Sequence, residues 1–426
     1  MIIDSKDIVC FESGSSSPGD SWTGTVESLG KDVDAIARFV TGGILATERD
    51  GDKLRIVGTD RVGLLLLPSG RRIVIRSKIP SLVLLNWLAF LGEFPPLEVW
   101  LPEPVIATGD DWHACIGRLF LYELEKVSRQ FLRKDYTPVT TTGSTLRGRI
   151  LTNRLYQSLH RLPQIPQLTR SRTLNTAFNI VLALALDRLP ILLKGCTAAE
   201  WRLMARLRDL WSRIDREVND VVSAVTEAQW ASPPGYRSAL QLARLILIGA
   251  AVDPSTGAGG QVFTICLAQI WERSLLKMFT EVSSVTGWLV SPQSDRTRQW
   301  DDSIGKVDTN RWMTADLLAE SGLSRWVLDA KYKRAFGNES RTDRFQMCAY
   351  AVGFNAERAT LVYPTAKGQS FDTNILLNAT VNSQQIVIDS LELPMVAGPE
   401  ACKVALIEIC GAELPRICTK TYVPIK

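Results

Sequence analysis

Two histidines in 426 residues, His113 and His160, are too few for a histidine-built metal centre. The eight cysteines are scattered between Cys10 and Cys418 without a C-x-x-C pair, and several sit in apolar runs such as "FTICLAQI". That scatter excludes a cysteine-ligated zinc site and a disulfide frame, and it suits reduced core residues of an intracellular protein. A G-x-x-x-x-G-K-[ST] phosphate loop is missing too, since Gly30-Lys31 and Gly305-Lys306 both lack its spacing. The chain is therefore not expected to bind or hydrolyse a nucleotide itself. No apolar run reaches the ~18–20 residues that span a bilayer, and nothing resembles a signal peptide. A soluble, cytoplasmic protein without membrane contact is the expectation.

What the chain does have is length and an uneven charge. At 426 residues it is too long for one compact core, so two or three domains are expected. Residues 1–108 carry 11 Lys/Arg against 14 Asp/Glu, residues 109–250 carry 20 against 12, and residues 251–426 carry 18 against 19. The basic excess thus falls in the middle third, where a polyanion would be drawn. The hydrophobic period changes at the same places. "KLRIVGTDRVGLLLLPSGRRIVIRSKIP" reads as strands around a Pro68-Ser69-Gly70 turn, followed by a short buried helix, "SLVLLNWLAFLGEF". From about Asp110 apolar residues recur at helical steps through "WHACIGRLFLYELEKVSRQFLRKDY" and on to "RSALQLARLILIGAAV". The "DPSTGAGG" stretch, Asp253 to Gly260, reads as a linker. Beyond it come a helix, "VFTICLAQIWERSLLKMFTEV", strands around "RWMTADLLAE" and "RWVLDAKYK", a helix, "DRFQMCAYAVGF", and strands "ATLVYP" and "QQIVIDSLELP". The reading is an α+β multidomain chain: a β-rich domain over 1–108, a basic helical domain over 109–252, and an α/β domain with a mixed sheet over 261–426.

The last domain carries chemistry. In "WVLDAKYKR" a strand puts Trp326, Leu328 and Ala330 on one face, and Val327, Asp329 and Lys331 on the other. A surface ion pair would account for Asp329 and Lys331 but would contribute little. Other residues make more of it. Glu272 interrupts the preceding amphipathic helix, Asp316 lies in an apolar strand candidate, and Gln346 and Tyr350 stand four apart on one face of the following helix. This order resembles the PD-(D/E)xK nuclease superfamily, an Asp followed by Asp/Glu-x-Lys on an adjacent strand. Phosphodiester hydrolysis needs hard oxygen ligands for Mg²⁺, and carboxylates on neighbouring strands supply them. A lysine beside them can orient or deprotonate the attacking water and offset charge on the transition state. Ala315 stands where the superfamily motif has proline.

"VLDAKYKR" followed by "DRFQMCAYAVGFNAERATLVYP" is similar to the C-terminal domain of the McrC family, the nuclease subunits of McrBC modification-dependent restriction systems. The matching features are Asp329 to Lys333, then Asp343, Gln346 and Tyr350, then Tyr363-Pro364. Upstream, the strand pattern ending in Lys78-Ile79-Pro80, together with "LRGRIL" and "TLNTAFNIVL", resembles the family's N-terminal and middle segments. The resemblance implies a prokaryotic anti-phage endonuclease in which Asp316, Asp329 and Lys331 are catalytic and Glu272 and Gln346 accessory. Asp316, Asp329 and Glu272 would hold Mg²⁺, with Mn²⁺ a possible substitute. It implies a McrB-like AAA+ GTPase hexamer as partner, docked by residues 1–108, whose slightly acidic balance fits protein contact. It also implies double-stranded, methylated or otherwise modified DNA as substrate, with pairing of nuclease domains for a double-strand cut. Lys333 and Arg334 beside the site, and Arg147 and Arg149 in "LRGR", are the candidate DNA contacts. The competing reading is a non-catalytic adaptor that docks on an AAA+ ring and keeps the nuclease fold as scaffold. Two acids and a lysine held together in an apolar sheet argue against it, because burying charge without a use is costly.

Overall fold

The computed structural model describes residues 7–12, 21–94, 112–130, 132–155, 163–193, 196–248, 262–291, 297–299, 312–333, 336–365, 370–381 and 384–411. The chain forms two compact units. One comprises Met1–Trp112 together with Asp253–Lys426, and the other is His113–Val252. The two outer segments, expected from the sequence to be separate domains, thus lie in a single unit interrupted by the middle one.

The join between the outer segments is a strand. "VFTIC" was expected to open a long helix, but Val262–Cys266 is extended and only Leu267–Thr286 is helical. Val262–Cys266 pairs antiparallel with Arg61–Leu66, which pairs with Arg72–Arg76, which in turn pairs in parallel with Ile8–Phe11. Gly63 permits this approach. Its φ is +146°, and a β-carbon there would stand 2.0 Å from the Phe263 carbonyl oxygen. One face of the sheet buries Ile8, Cys10, Leu65, Ile73 and Ile75 against Ile36 and Phe39 of the amphipathic Val33–Thr41 helix. A second sheet, Trp22–Thr25, Lys53–Gly58 and Leu45–Asp50, adds Ile56 and Leu45 to the same core.

The Ser81–Phe90 helix ties this region to the C-terminal one. Trp87 is fully buried, meets Trp271 edge-on at 5.9 Å, and donates its indole N–H to the Met395 carbonyl at 3.0 Å. Glu93 receives Arg273 at 2.7 Å.

The C-terminal sheet runs in the order Leu289–Val290, Leu317–Ser321, Ser324–Ala330, Arg358–Pro364, Gln384–Leu393, Asp372–Val381. Its centre is parallel, Ser324–Ala330 with Arg358–Pro364 and Arg358–Pro364 with Gln384–Leu393, and the flanking pairs are antiparallel. Parallel strands are normally covered on both faces. Here Leu267–Thr286 covers one face, with Phe279 edge-on to Trp326 at 5.6 Å. Arg341–Gly353 covers the other, packing Met347, Tyr350 and Ala351 on Val327, Leu361 and Tyr363. The Asp372–Val381 strand and the final Pro399–Gly411 helix add to the elements read from the sequence.

The middle unit is helical over Ala177–Leu192, Ala198–Leu210, Val221–Trp230 and Arg237–Ile248. It also holds a three-stranded sheet in which Asp135–Gly143 and Arg149–Ile150 both pair with Ile165–Thr173. The helical expectation passed over this sheet because "TPVTTTG" is β-branched yet polar on both faces, so no period of two stands out. Among the described residues no helix is long and apolar enough to cross a membrane.

Candidate active site

The strand Ser324–Ala330 ends with Asp329 on the Val327 face, beneath the Arg341–Gly353 helix. Asp329 is 2% exposed, and the Lys331 ammonium lies 2.7 Å from its Oδ2. The neighbouring strand begins at Leu317, opposite Leu328, so Asp316 stands just before it and not within it as the sequence suggested. Freed from the ladder, the Asp316 Oδ2 accepts the Ala330 backbone N–H at 2.8 Å, which brings the carboxyl to the end of the Asp329 strand.

The helix above is placed by its first turn. Ser340 caps it, accepting the Asp343 N–H at 3.1 Å, and the Ser340 hydroxyl donates to Asp343 Oδ2 at 2.7 Å. That start sets Gln346 and Tyr350 one turn apart over the strand end. Gln346 Nε2 donates to Asp329 Oδ1 at 3.3 Å and to the Tyr350 hydroxyl at 2.9 Å, while its Oε1 receives Lys331 Nζ at 3.1 Å. Tyr350 passes its own proton to the Thr314 carbonyl at 2.8 Å. The carboxamide therefore fixes acid and lysine together.

The electrostatics follow from burial and like charge. Desolvation, and then the carboxylate of Asp316, push Asp329 up to about 6. Burial alone would lower the Lys331 ammonium, but Asp329, Asp343 and Asp316 outweigh it and hold it above its usual value. Lys331 is thus protonated across the neutral range. A carboxylate whose ionisation is opposed by a second carboxylate beside it suits a hard divalent cation that keeps several of its waters. Among the described residues no three His, Cys, Asp or Glu side chains are grouped closely enough to hold a metal. Glu272, the expected third ligand, is exposed on Leu267–Thr286, next to a buried Trp271 that donates to the Val362 carbonyl at 3.0 Å.

The remaining sequence candidates are dispersed. Lys333 ion-pairs with Asp343, a buried residue. Burial would raise Asp343, but the hydrogen bonds from Lys333 and Ser340 prevail and hold it below its ordinary value. Arg334 lies outside the described residues. Arg147 and Arg149 are exposed in the middle unit, on either side of Gly148. A β-carbon at Gly148 would sit 2.1 Å from the Leu168 carbonyl oxygen, so only glycine fits the turn. Buried Gln167 organises that turn, its Oε1 accepting the N–H groups of Arg147 at 2.6 Å and Gly148 at 3.0 Å. Sequence reasoning gave no role to Asp343 or Tyr350, although both belong to the quoted "DRFQMCAYAVGF" helix.

Comparison with known proteins gives this geometry a context. In fold the chain is similar to a chain of a Thermococcus gammatolerans structure described as a refined half-complex from a tetradecameric assembly of McrB AAA+ hexamers with bound McrC. The TM-score is 0.57 at 13% identity, covering 95% of this chain and 100% of that one. A second structure, the cryo-EM T. gammatolerans McrBC complex, aligns at a TM-score of 0.38 and 14% identity over 66% of this chain and 87% of the other, too loosely to argue from. Among curated proteins none matches the chain significantly. The profile of the family described as "McrBC 5-methylcytosine restriction system component" matches residues 58–364, which takes in three of the first sheet's four strands, the whole middle unit and the Asp316–Asp329–Lys331 site. The chain belongs to the family of McrBC 5-methylcytosine restriction system components.

Proposed function

We propose that this chain is the metal-dependent DNA endonuclease subunit of a restriction system, acting with an AAA+ GTPase ring. One observation carries the proposal: Gln346 bonds at once to Asp329 and Lys331, beside the carboxyl of Asp316. A scaffold would have no need to hold two acids and a lysine in register, since each loses hydration there.

Asp316 and Asp329 would hold the cation, Mg²⁺ or in its place Mn²⁺. When bound, the cation would polarise the scissile phosphate and lower the pKa of the attacking water. Lys331, kept protonated by its acidic neighbours, orients that water and offsets charge that develops on the phosphate oxygens. Gln346 keeps the ammonium from swinging away when DNA arrives, and Tyr350 keeps Gln346 in place. The exposed Arg147 and Arg149 are candidate phosphate contacts in the middle unit.

The similar Thermococcus structure contains AAA+ hexamers with bound McrC, and this supports a ring partner here. Residues 1–108 are the proposed docking region and modified double-stranded DNA the proposed substrate, with two nuclease units paired for a double-strand cut.

The test is Mg²⁺-dependent cleavage of methylated and unmethylated plasmid, with the ring partner and GTP, by the parent chain and by Asp329→Ala and Lys331→Ala. The expected result is cleavage by the parent and a loss of at least about a hundredfold in each variant. Parental rates in Asp329→Ala would refute the site. Intact DNA in every lane, with the ring's GTP hydrolysis still stimulated, would establish the adaptor in its place.

A further inference from the structure

The active-site lysine is followed by a turn that the N-terminal segment grips. Lys331 donates its backbone N–H to the Val362 carbonyl at 2.9 Å and closes the sheet. Two residues later the Lys333 N–H returns to the Lys331 carbonyl at 3.1 Å, leaving Tyr332 at the corner. The Tyr332 hydroxyl is 3.1 Å from each carboxylate oxygen of Glu12. Glu12 is 2% exposed and sits directly after the Ile8–Phe11 strand. Its backbone N–H donates to the Arg76 carbonyl at 2.9 Å, and its Oε1 accepts the Lys78 N–H at 2.8 Å. Glu12 is therefore held at the backbone by one strand of the first sheet and at the side chain by the Lys78-Ile79-Pro80 turn.

A buried carboxylate is expensive to keep without bonds to its charged form. Here two of those bonds reach beyond the first sheet, to the residue between Lys331 and Lys333. Each neighbour of Tyr332 has its own anchor on the far side, Lys331 on Asp329 and Gln346, Lys333 on Asp343. The three-residue turn is thus held from two directions. The Tyr332–Glu12 bond adds a hold on the side away from the two lysine side chains.

We propose that Glu12 and Tyr332 are positioning residues for the Lys331 ammonium, and that through them the N-terminal sheet is a working part of the nuclease site. This rests on the endonuclease reading above. Neither residue touches the reacting atoms; Tyr332 sets the turn, and Glu12 sets Tyr332. Displacement of a catalytic group by about an ångström is enough to cost one to two orders of magnitude in rate.

The test uses the full chain with its ring partner, Mg²⁺ and a cleavable plasmid, comparing parent, Tyr332→Phe, Glu12→Gln and Glu12→Ala. Tyr332→Phe should lower the rate at saturating DNA by about tenfold or more, with the DNA concentration for half-maximal rate unchanged. Glu12→Gln keeps an acceptor for both donors and should stay within a few-fold of the parent, whereas Glu12→Ala should fall at least as far as Tyr332→Phe. Hydrogen exchange at the Lys333 amide should quicken in Tyr332→Phe, a readout that needs no cleavage. Parental turnover in Tyr332→Phe would overturn the proposal, and so would a Glu12→Gln variant as slow as Glu12→Ala. If Glu12→Ala does not fold, Tyr332→Phe and Glu12→Gln still decide. A parent that leaves DNA intact would instead sink the endonuclease reading itself.

Discussion

Asp329 shows what a site of this kind costs the chain that carries it. Its carboxyl titrates near 6 in the folded protein, because burial and Asp316 oppose its charge, against an ordinary value of 3.8. Between those values the native state binds the proton more tightly than the unfolded one. The contribution to stability is therefore full below about pH 4 and is lost as pH rises through 6. The shift corresponds to about 3 kcal/mol. In the presence of chelator, Asp329→Asn should melt a few degrees above the parent at pH 7.5, with the difference closing towards pH 4. Thermal melts of both chains across that range are the check, and a difference that stays flat with pH would show that Asp329 is not destabilised by its site. The variant should lose cleavage while gaining stability. Asp343 contributes with the opposite sign, since its value is depressed and its support disappears on acidification. Comparing parent and variant at each pH cancels that background.

At the scale of elements, the Asp329–Lys331 strand was legible because its alternation and its apolar flanks are local. The same holds for the Gln346–Tyr350 spacing, which is one helical turn. What could not be read was anything tying distant segments together. Glu12 and Tyr332 are 320 positions apart, and nothing near either residue announces the other. Asp343 looks like an ordinary capping residue from its position, and its pairing with Lys333 depends on how the turn closes. Val262–Cys266 keeps apolar residues at a spacing a helix would also use, so its pairing with Arg61–Leu66 decided its form. The ribbon in the middle unit was overlooked, yet it organises the basic residues noticed there. Arg172 stands opposite Tyr136, Arg170 opposite Pro138, and Arg149 opposite Leu168, which places all three arginines on one face. All three are exposed, and no ion pair links them to a described carboxylate. Replacing both Arg147 and Arg149 by Ala should reduce the salt dependence of DNA binding by a slope of about two. Filter or anisotropy titrations at several salt concentrations measure it. An unchanged slope accompanied by lost stimulation of the ring would assign this ribbon to the protein partner.

For the whole molecule, the interrupted unit changes how the chain can be divided. Residues 113–252 have their own core and should fold alone, with a cooperative melt. Residues 261–426 contain the entire Asp316–Asp329–Lys331 site but lack the strands and the Trp87 helix that their first strand and first helix pack against. Expressed alone they should aggregate or remain molten, and co-expression with residues 1–112 should rescue solubility. Size-exclusion chromatography of the three combinations decides; a monomeric, cooperatively melting 261–426 fragment would refute the account. For the same reason, removing residues 1–108 is a poor test of partner docking. It would dismantle the unit that holds the Asp316–Asp329–Lys331 site as well, so docking has to be probed by surface substitutions on an intact chain.

The strand Val262–Cys266 also sets a clock. On the ribosome the Arg61–Leu66 edge emerges long before its partner, and at about 5–20 residues per second the intervening segment takes on the order of ten to forty seconds to synthesise. Until then Gly63 is paired on one side only, with Ile75, and its other side waits for Thr264. The first sheet is thus completed only after the whole middle unit has been made, and the Asp316–Asp329–Lys331 site follows it in the chain.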